Sequence, residues 1–142
     1  MLSQGLLLLV VVLLAVRFRR ERCHSVAVIP GEILLSIGTG VALAGTIALG
    51  SNITPFPKPS EKAQLIRRGI FSLIRHPIYT GLMFASLGWA LVWQSWPALL
   101  MAFGLIPFFD AKARREEKWL REKFSDYGEY EKRVKRFVPR IY

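Results

Sequence analysis

Hydrophobic residues fall into four stretches along the chain, and each of them predicts a helix. The first covers residues 2–16 and consists almost entirely of Leu and Val, and the second runs from about residue 33 to residue 49. The third and fourth, residues 78–93 and 96–109, are separated by only two residues. Because the linker between the last two is so short, they predict a helical hairpin.

The third and fourth stretches are shorter than a typical membrane-spanning helix. The third and fourth each contain about 15 residues, fewer than the ~20 that cross a full hydrocarbon layer. We therefore expect them to extend into flanking residues or to lie where the bilayer is thin. Aromatic rings near the hairpin turn suit the membrane interface; they are Trp89, Trp93 and Trp96. Small residues in the second stretch would permit close helix approach in lipid; they are Gly38, Gly40, Ala44 and Gly45.

The tail after residue 110 predicts an amphipathic helix that continues from the fourth stretch. At 100° per residue its apolar side chains fall within about 40° of one line; they are Phe109, Ala113, Leu120, Phe124 and Tyr127. A second amphipathic segment follows at helical spacing and ends at Pro139; it contains Tyr127, Tyr130, Val134 and Phe137. We interpret these aromatic residues as an anchor at the membrane interface, the alternative being a roof over a pocket.

Taken together, the pattern predicts one domain over residues 1–142 with four parts. Residues 1–50 form two N-terminal spans, 51–80 a connector, 78–110 the hairpin and 111–142 the tail. The composition agrees, because 52% hydrophobic residues and a mean hydropathy of +0.32 exceed what a soluble domain needs. The fold class we predict is therefore an all-α membrane bundle with about four transmembrane helices.

Charge and cysteine content exclude several function classes. A net charge of +10 would fit a nucleic-acid binder, but the basic residues lie between and after the apolar stretches. Anionic lipid head groups and the positive-inside rule explain that placement, and no nucleic-acid-binding motif is present. With Cys23, His24 and His76 as the complete set of Cys and His, neither an internal disulfide nor a metal site is expected.

The distribution of Lys and Arg predicts the orientation. A hairpin returns to the side it left, so the connector and the tail share one face. They contain 5 and 11 Lys or Arg, against 4 between the first two spans, which places that face in the cytoplasm. Four spans then leave the basic cluster at residues 17–22 outside, in conflict with the same rule. We favour a retained first span over a cleaved signal peptide, because its basic residues follow the apolar stretch.

The connector ends in Arg75, His76, Pro77 and Tyr79, which form a candidate polar site at the start of the third stretch. Pro77 biases His76 toward an extended backbone and suits the first turn of a helix. The free N–H groups and positive end of that helix would form an anion site with Arg75 and His76 beside it. The alternative is that His76 only caps the helix and Tyr79 is an interfacial aromatic residue.

Glu116 and Glu117 border the apolar face of the tail helix, and Glu116 lies closer to its centre. In the simpler interpretation both are solvated and pair with Lys112 and Arg121, each pair contributing only ~0.2–0.5 kcal/mol. Their position close to the membrane exit favours a functional role, because an ionisable group near apolar surface is costly without a partner. We therefore expect Glu116 to face inward.

These segments together resemble the C-terminal half of the isoprenylcysteine carboxyl methyltransferases, a family of integral membrane enzymes. The resemblance covers roughly residues 54–142 and rests on GIFSLIRHPIYTG, the apolar hairpin, AKARREEKWL and FSDYGEYEKRVKRFVP. It implies a multi-pass protein, of the cell inner membrane if the source is bacterial, with its catalytic face in the cytoplasm.

The resemblance also implies S-adenosylmethionine as methyl donor, bound between connector and tail. The implied cofactor-binding residues are Ala63, Gln64, Leu65, Ile66, Phe71, Arg75, His76, Pro77, Ile78, Tyr79 and Glu116. Family members often have Tyr where this chain has Phe71, so one hydroxyl contact is absent. The implied catalytic residues are Lys112 and Glu116. Lys112 stands where an Arg would meet the carboxylate of the acceptor, so the charge is kept but the bidentate geometry is lost.

The expected activity is O-methyl transfer to a lipophilic small molecule or lipidated acceptor, with the carboxylate of a prenylcysteine-like substrate as one candidate. One alternative is an NADPH-dependent reductase similar to membrane sterol reductases. The other is a non-catalytic protein whose basic tail binds membrane lipids. No feature of the sequence indicates an oligomeric state.

Overall fold

The computed structural model describes residues 2–19, 26–50 and 64–142, and its regular elements there are helical. The helices are α1 (Leu2–Arg17), α2 (Val28–Leu49), α3 (Pro77–Val92), α4 (Trp96–Lys123) and α5 (Tyr127–Arg133), with a 3-10 helix at Gly69–Ser72. Within these ranges the β-structure is limited to one isolated bridge, between Ile74 and Lys135. The all-α prediction is confirmed. Residues 20–25 and 51–63, which include part of the basic cluster and the predicted cofactor residue Ala63, lie outside the described residues.

The helix boundaries follow the hydrophobic pattern except at the start of α2 and in the tail. There α4 ends at Lys123 and α5 at Arg133, so the predicted helical segment does not reach Pro139. α2 begins at Val28 rather than near residue 33, because Pro30 falls in its first turn, where a missing N–H is tolerated. α3 and α4 form the predicted hairpin, and the side chain of Ser95 caps α4 by accepting the Ala98 N–H at 3.4 Å. α4 then runs unbroken to Lys123, so the tail helix does continue from the fourth stretch.

Glycines bring α2 and α3 into backbone contact. Gly38 of α2 is buried, and a Cβ added there would lie 2.3 Å from the amide nitrogen of Ala85 and 2.7 Å from the carbonyl oxygen of Gly81. Gly31 and Gly45, seven residues to either side and on the same helix face, meet α3 in the same antiparallel manner. Close approach of this kind is what small residues permit between apolar helices.

The predicted small-residue contacts are therefore confirmed at Gly38 and Gly45. They are wrong at Gly40 and Ala44: Gly40 has no neighbour within 4 Å of an added Cβ, and Ala44 is exposed. The reason is rotational, since Gly40 lies about 200° around the helix from Gly38.

α1 packs along α4 and fixes which helix ends lie together. Val11 and Ala15 are buried in the main apolar cluster, which contains Leu105 and Phe109 of α4. The Ser95 hydroxyl donates to the Leu14 carbonyl at 3.1 Å, so the end of α1 meets the hairpin turn. The four long helices thus alternate in direction.

Among the described helices, α2 is the one that is both long and apolar enough to cross a membrane, while α1 and α3 are apolar but shorter. The predicted count of about four spans stays a prediction. The outer surface of the bundle is strongly apolar; large exposed side chains there include Leu6, Leu9, Leu13, Ile33, Ile37, Ile47, Leu100 and Phe103.

The C-terminal segment, residues 127–142, folds back over the start of α3. Tyr127, Tyr130 and Val134 are buried in a second apolar cluster, and the Tyr130 hydroxyl donates to the Phe71 carbonyl at 2.6 Å. Phe137 joins the main cluster and packs on the His76 ring, with 6.0 Å between ring centroids. The interpretation of these aromatics as a membrane anchor is therefore wrong, because they are buried within the protein.

Candidate functional site

His76 lies between the two carboxylates of α4. Its Nε2 is 3.1 Å from Glu117 Oε1, and its Nδ1 is 3.8 Å from Glu116 Oε2. The residue precedes Pro77, which begins α3 as predicted, and its side chain makes no capping hydrogen bond. The alternative in which His76 only caps the helix is therefore wrong.

Glu117 is the centre of a buried ion-pair network. It is 0% exposed, and it accepts hydrogen bonds from Arg136 Nε at 3.0 Å and Nη2 at 2.7 Å. Arg75 Nη2 lies 3.2 Å from its Oε1. Arg136 also reaches Asp110, with 2.8 Å between Nη1 and Oδ1.

This network corrects the expectation that Glu116 is the inward-facing member of the pair. The Glu116 side chain is 18% exposed, whereas Glu117 is fully buried. Phe109, Ala113 and Glu117 follow each other at intervals of four residues and form the buried face of α4. The helical wheel was based on the apolar residues alone, and it placed the centre of the buried face too close to Leu120.

Arg75 is held by carboxylates on two elements. Besides Glu117, its Nη1 pairs with Glu131 at 2.8 Å, and Glu131 also receives two 2.8 Å hydrogen bonds from Arg121. The backbone repeats this link, because the Arg75 N–H donates to the Lys135 carbonyl at 2.9 Å. The predicted anion site therefore lacks a free Arg75 charge, since two carboxylates of the protein already balance it.

The charges of the network set the pKa values of its carboxyl groups. Burial alone would raise the pKa of Glu117, but hydrogen bonds from His76 and Arg136 and the charge of Arg75 lower it to about 2. Hydrogen bonds from Arg121, and to a lesser extent the contact with Arg75, lower the pKa of Glu131 to about 2. Both groups are therefore ionised at neutral pH.

The folded protein should lose stability when the pH falls below the pKa of an unperturbed carboxyl group. A carboxyl whose folded pKa is lowered stabilises the fold above its unfolded pKa, 4.5 here, and this contribution is lost as the pH falls toward 2. We expect the thermal midpoint in detergent to be nearly constant from about pH 7 to 5 and to fall steeply below about 4.5.

The variant Glu131→Gln is the matched test of this assignment, because it removes one of the two carboxyls. It should lower the midpoint at neutral pH and make its decline below pH 4.5 roughly half as large. An unchanged acid decline in Glu131→Gln would show that other groups control it.

Several of the predicted cofactor residues line one cavity of about 180 Å³. It is bounded by Leu49, Phe71, Arg75, His76, Pro77, Ile78, Tyr79, Glu116 and Leu120. Gln64 and Ile66 are not among its walls, and Leu65 packs instead against the second apolar cluster. The structure thus brings together the predicted residues from Phe71 onward with Glu116.

Tyr79, Glu116 and Lys112 form a polar group beside that cavity. The Tyr79 hydroxyl donates to Glu116 Oε1 at 2.5 Å, and the Tyr79 ring is stacked between His76 and Phe109, with centroids 5.4 and 5.0 Å away. Lys112 Nζ lies 4.9 Å from the centroid of the Tyr79 ring. This geometry argues against Tyr79 as a merely interfacial residue.

The electrostatics of this group differ from those of the buried network. Burial raises the pKa of Glu116, although Tyr79, His76 and Lys112 act in the opposite direction. Burial also lowers the pKa of Lys112, against the pull of Glu116. Lys112 and Glu116, one helical turn apart, are therefore both partly desolvated. A charged ligand bound beside them would change their pKa values.

Sequence reasoning missed Gln4, Arg136 and the buried role of Glu117. The Lys112 ammonium donates to Gln4 Oε1 on α1, so the first helix contributes to the site. A polar Gln at the start of an apolar stretch was a usable signal for this contact. Arg136 offered none, because it lies in a basic segment with many equivalent residues.

Comparison with known proteins gives a consistent set of matches. Residues 26–127 match the family model described as phospholipid methyltransferase. The cobalt-zinc-cadmium resistance protein CzcN of Cupriavidus metallidurans is 30% identical over 134 residues, covering 92% of this chain and 59% of that protein. The protein-S-isoprenylcysteine O-methyltransferase of Saccharomyces cerevisiae is 36% identical over 93 residues, covering 64% of this chain and 38% of that protein.

Protein-S-isoprenylcysteine O-methyltransferase B of Arabidopsis thaliana is 28% identical over 114 residues, covering 77% of this chain and 57% of that protein. The chain thus spans between roughly a third and three fifths of the length of these curated relatives. A solved structure of the eukaryotic intramembrane Ras methyltransferase ICMT matches with a TM-score of 0.70 at 23% identity. That match covers 78% of this chain and 41% of the other, and it shows a shared fold.

Proposed function

Because the chain belongs to the phospholipid methyltransferase family, we propose that it transfers a methyl group from S-adenosylmethionine to a lipophilic acceptor. The matches confirm the resemblance to isoprenylcysteine carboxyl methyltransferases that the sequence motifs indicated. Relatives with that name support O-methylation in particular. The observation that most directly supports a ligand is the cavity in which Glu116, His76 and the start of α3 meet.

The residues of the cavity suit the charged groups of S-adenosylmethionine. Glu116 offers a carboxylate for the ammonium, and the first turn of α3 leaves the N–H groups of Ile78 and Tyr79 without acceptors inside the helix. Arg75 also lines the cavity, but Glu117 and Glu131 already balance its charge, so we do not assign it to the carboxylate of the cofactor. A volume of about 180 Å³ is below the ~300–1,000 Å³ of most small-molecule sites, so these walls accommodate part of the cofactor.

The protein's contribution to the reaction is then mainly positioning and exclusion of water. When bound, S-adenosylmethionine would supply an electrophilic methyl group on a sulfonium. Displacement at such a group needs little acid or base help if an anionic nucleophile is aligned and dehydrated. Lys112, half-buried beside the Tyr79 ring, would hold the anionic group of the acceptor, and Gln4 would orient Lys112. A prenylcysteine-like carboxylate fits this role, but without the bidentate contacts of an arginine.

We further propose that α1, α2, α3 and the first part of α4, residues 96–109, cross the membrane and that the site lies at its cytoplasmic face. The alternating helix directions and the apolar outer surface support this arrangement. α1 has 16 residues and is thus only ~24 Å long, which requires a locally thin bilayer. The site end has the Lys- and Arg-rich tail, as the positive-inside rule requires of a cytoplasmic face. In the bacterial case this would be a multi-pass protein of the inner membrane.

The test is binding and turnover in detergent with two matched variants. Glu116→Gln removes the charge but keeps the shape and leaves the Glu117 network intact, and Glu122→Gln is the control because Glu122 is exposed on the same helix. Charged hydrogen bonds contribute ~1.5–3 kcal/mol, so Glu116→Gln should weaken S-adenosylmethionine binding roughly 10- to 150-fold by calorimetry. Transfer of a labelled methyl group into extracted lipids should fall with it.

Two results would contradict the proposal. Equal affinity in Glu116→Gln and Glu122→Gln would remove Glu116 from the cofactor site. Saturable binding of NADPH, with none of S-adenosylmethionine, would replace the methyltransferase with a reductase.

A further inference from the structure

A second cavity, of about 390 Å³, lies between α3, α4 and the C-terminal segment. None of its lining residues is shared with the cavity that contains Glu116 and His76. Its walls are mostly apolar; they include Met83, Phe84, Leu87, Ile106, Pro107 and Phe137. The volume lies within the ~300–1,000 Å³ typical of small-molecule sites. An apolar cavity of this kind offers water few hydrogen-bond partners, and it therefore favours an apolar ligand.

The polarity of this cavity changes from one end to the other. Leu87 lies two helical turns beyond Thr80 along α3, about 10 Å deeper in the hairpin, and Ile106 lies one turn deeper than Asp110 along α4. The deep end is therefore apolar, and the end beside the tail contains Thr80, Asp110 and Tyr142.

Two arginines flank the carboxylate of Asp110 at the polar end of the cavity. Asp110 is balanced twice, by Arg114 at 2.7 Å and by Arg136 at 2.8 Å. The Arg114 side chain is 62% exposed, and its two hydrogen bonds, to Asp110 and to the Tyr142 hydroxyl, leave other N–H groups facing outward. An apolar cavity in the hairpin with an exposed guanidinium at its rim is complementary to a molecule with a hydrocarbon chain and a phosphate.

We propose that this cavity binds one acyl chain of a membrane glycerophospholipid, with the phosphate at Arg114. The inference rests on the membrane placement of α3 and α4 proposed above, since phospholipid is then the abundant molecule of this chemistry around the hairpin. Arginine is suited to phosphate, because its planar group offers several N–H donors at once. The site is separate from the proposed methyl-transfer site and does not require S-adenosylmethionine.

An acyl chain there would also support the candidate functional site. It would pack on Phe137, whose ring contacts His76 and whose carbonyl accepts the Thr80 hydroxyl at 3.1 Å. The bound lipid would thus hold the C-terminal segment against the start of α3. Loss of the lipid should loosen the contact that positions His76.

The experiment uses the full chain in liposomes that contain a phosphatidylethanolamine probe with a diazirine in its acyl chain. After illumination, labelled residues are mapped by mass spectrometry, without any added S-adenosylmethionine. We expect labelling concentrated at residues 83–87 and 106–107. Leu87→Trp, which fills the cavity, should reduce that labelling at least fivefold. Leu100→Trp, at a side chain of α4 that is 71% exposed, should not.

Even labelling along the exposed faces of α3 and α4, or equal labelling of the two tryptophan variants, would overturn the proposal. A matched diacylglycerol probe, which lacks the phosphate, should label the same residues several-fold less. Arg114→Ala should abolish this preference, and Arg115→Ala, an exposed neighbour on the same helix, should keep it. If diacylglycerol labels as well as the phospholipid, the assignment of the phosphate to Arg114 is wrong. Because no step depends on methyl transfer, an inactive protein would still give a clear result.

Discussion

Replacing Gly38 with leucine should prevent α2 and α3 from packing, whereas the same change at Gly40 should leave the fold intact. A Cβ at Gly38 would lie 2.3 Å from the Ala85 nitrogen and 2.7 Å from the Gly81 oxygen, and these backbone atoms cannot move without moving α3. At Gly40 an added Cβ meets nothing within 4 Å. The two positions are two residues apart in one helix, so helix propensity is matched.

The expected effect is large because the driving force is packing itself. Between apolar helices in lipid, association depends on van der Waals contact at short distance rather than on the hydrophobic effect. Overpacking typically costs ~1–3 kcal/mol where side chains can adjust, and rigid backbone places Gly38→Leu at or above the upper end. The thermal midpoint should fall by roughly 6–12 °C or the protein should aggregate.

Thermal unfolding followed by tryptophan fluorescence, together with size-exclusion chromatography in detergent, measures this effect. Gly38→Ala should give an intermediate loss, since even one methyl group meets backbone. Similar midpoints for Gly38→Leu and Gly40→Leu would mean that the helices do not approach as closely as described.

The consequence extends to the candidate site. An added Cβ at Gly45 would lie 3.0 Å from side-chain atoms of both Pro77 and Ile78, so α2 packs directly on the first turn of α3. Leu49, at the end of α2, lines the cavity that contains Glu116 and His76. Separation of the two helices would therefore displace the turn that positions His76, and ligand binding should be lost together with stability.

Local signals in the sequence predicted the fold more completely than the site. Pro77 marks the start of α3 because its ring favours a first turn, and the apolar period carries α4 from the hairpin into the tail. The residues that flank His76 in the sequence also lie beside it in the structure, at the end of the connector and in the first turn of α3. The sequence could therefore predict this part of the site. Each of these signals acts over a few residues.

The rest of the site depends on contacts between distant residues. Glu117 and Arg136 are 19 residues apart, and Gln4 and Lys112 are 108 apart, and no local pattern links either pair. Glu116 and Glu117 differ by one position, which is 100° of rotation, and apolar residues alone define a helix face less finely than that. The inward-facing carboxylate could be identified only after Arg75 and Arg136 were placed around it.

Glu117→Ala should be among the most destabilising substitutions in the chain. It would leave two guanidinium groups without their shared carboxylate, on side chains that are only 7% and 12% exposed, those of Arg75 and Arg136. Removal of one partner from a buried ion pair typically costs ~3–5 kcal/mol, because the remaining charge is uncompensated. The expected decrease in thermal midpoint is therefore roughly 6–20 °C.

Glu116→Ala, one residue earlier, separates stability from ligand binding. Its side chain is partly exposed and lies outside the Glu117 network, so it should change the midpoint far less while weakening S-adenosylmethionine binding. Glu117→Ala combined with Arg136→Met should recover part of the lost stability, because the double change removes a charge from each side of the pair. Equal midpoints for the two Glu→Ala variants, or no recovery in the double variant, would show that the buried network does not stabilise the link between α4 and the C-terminal segment. The reverse pattern, with Glu116→Ala the less stable, would return the inward-facing role to the carboxylate that the sequence first indicated.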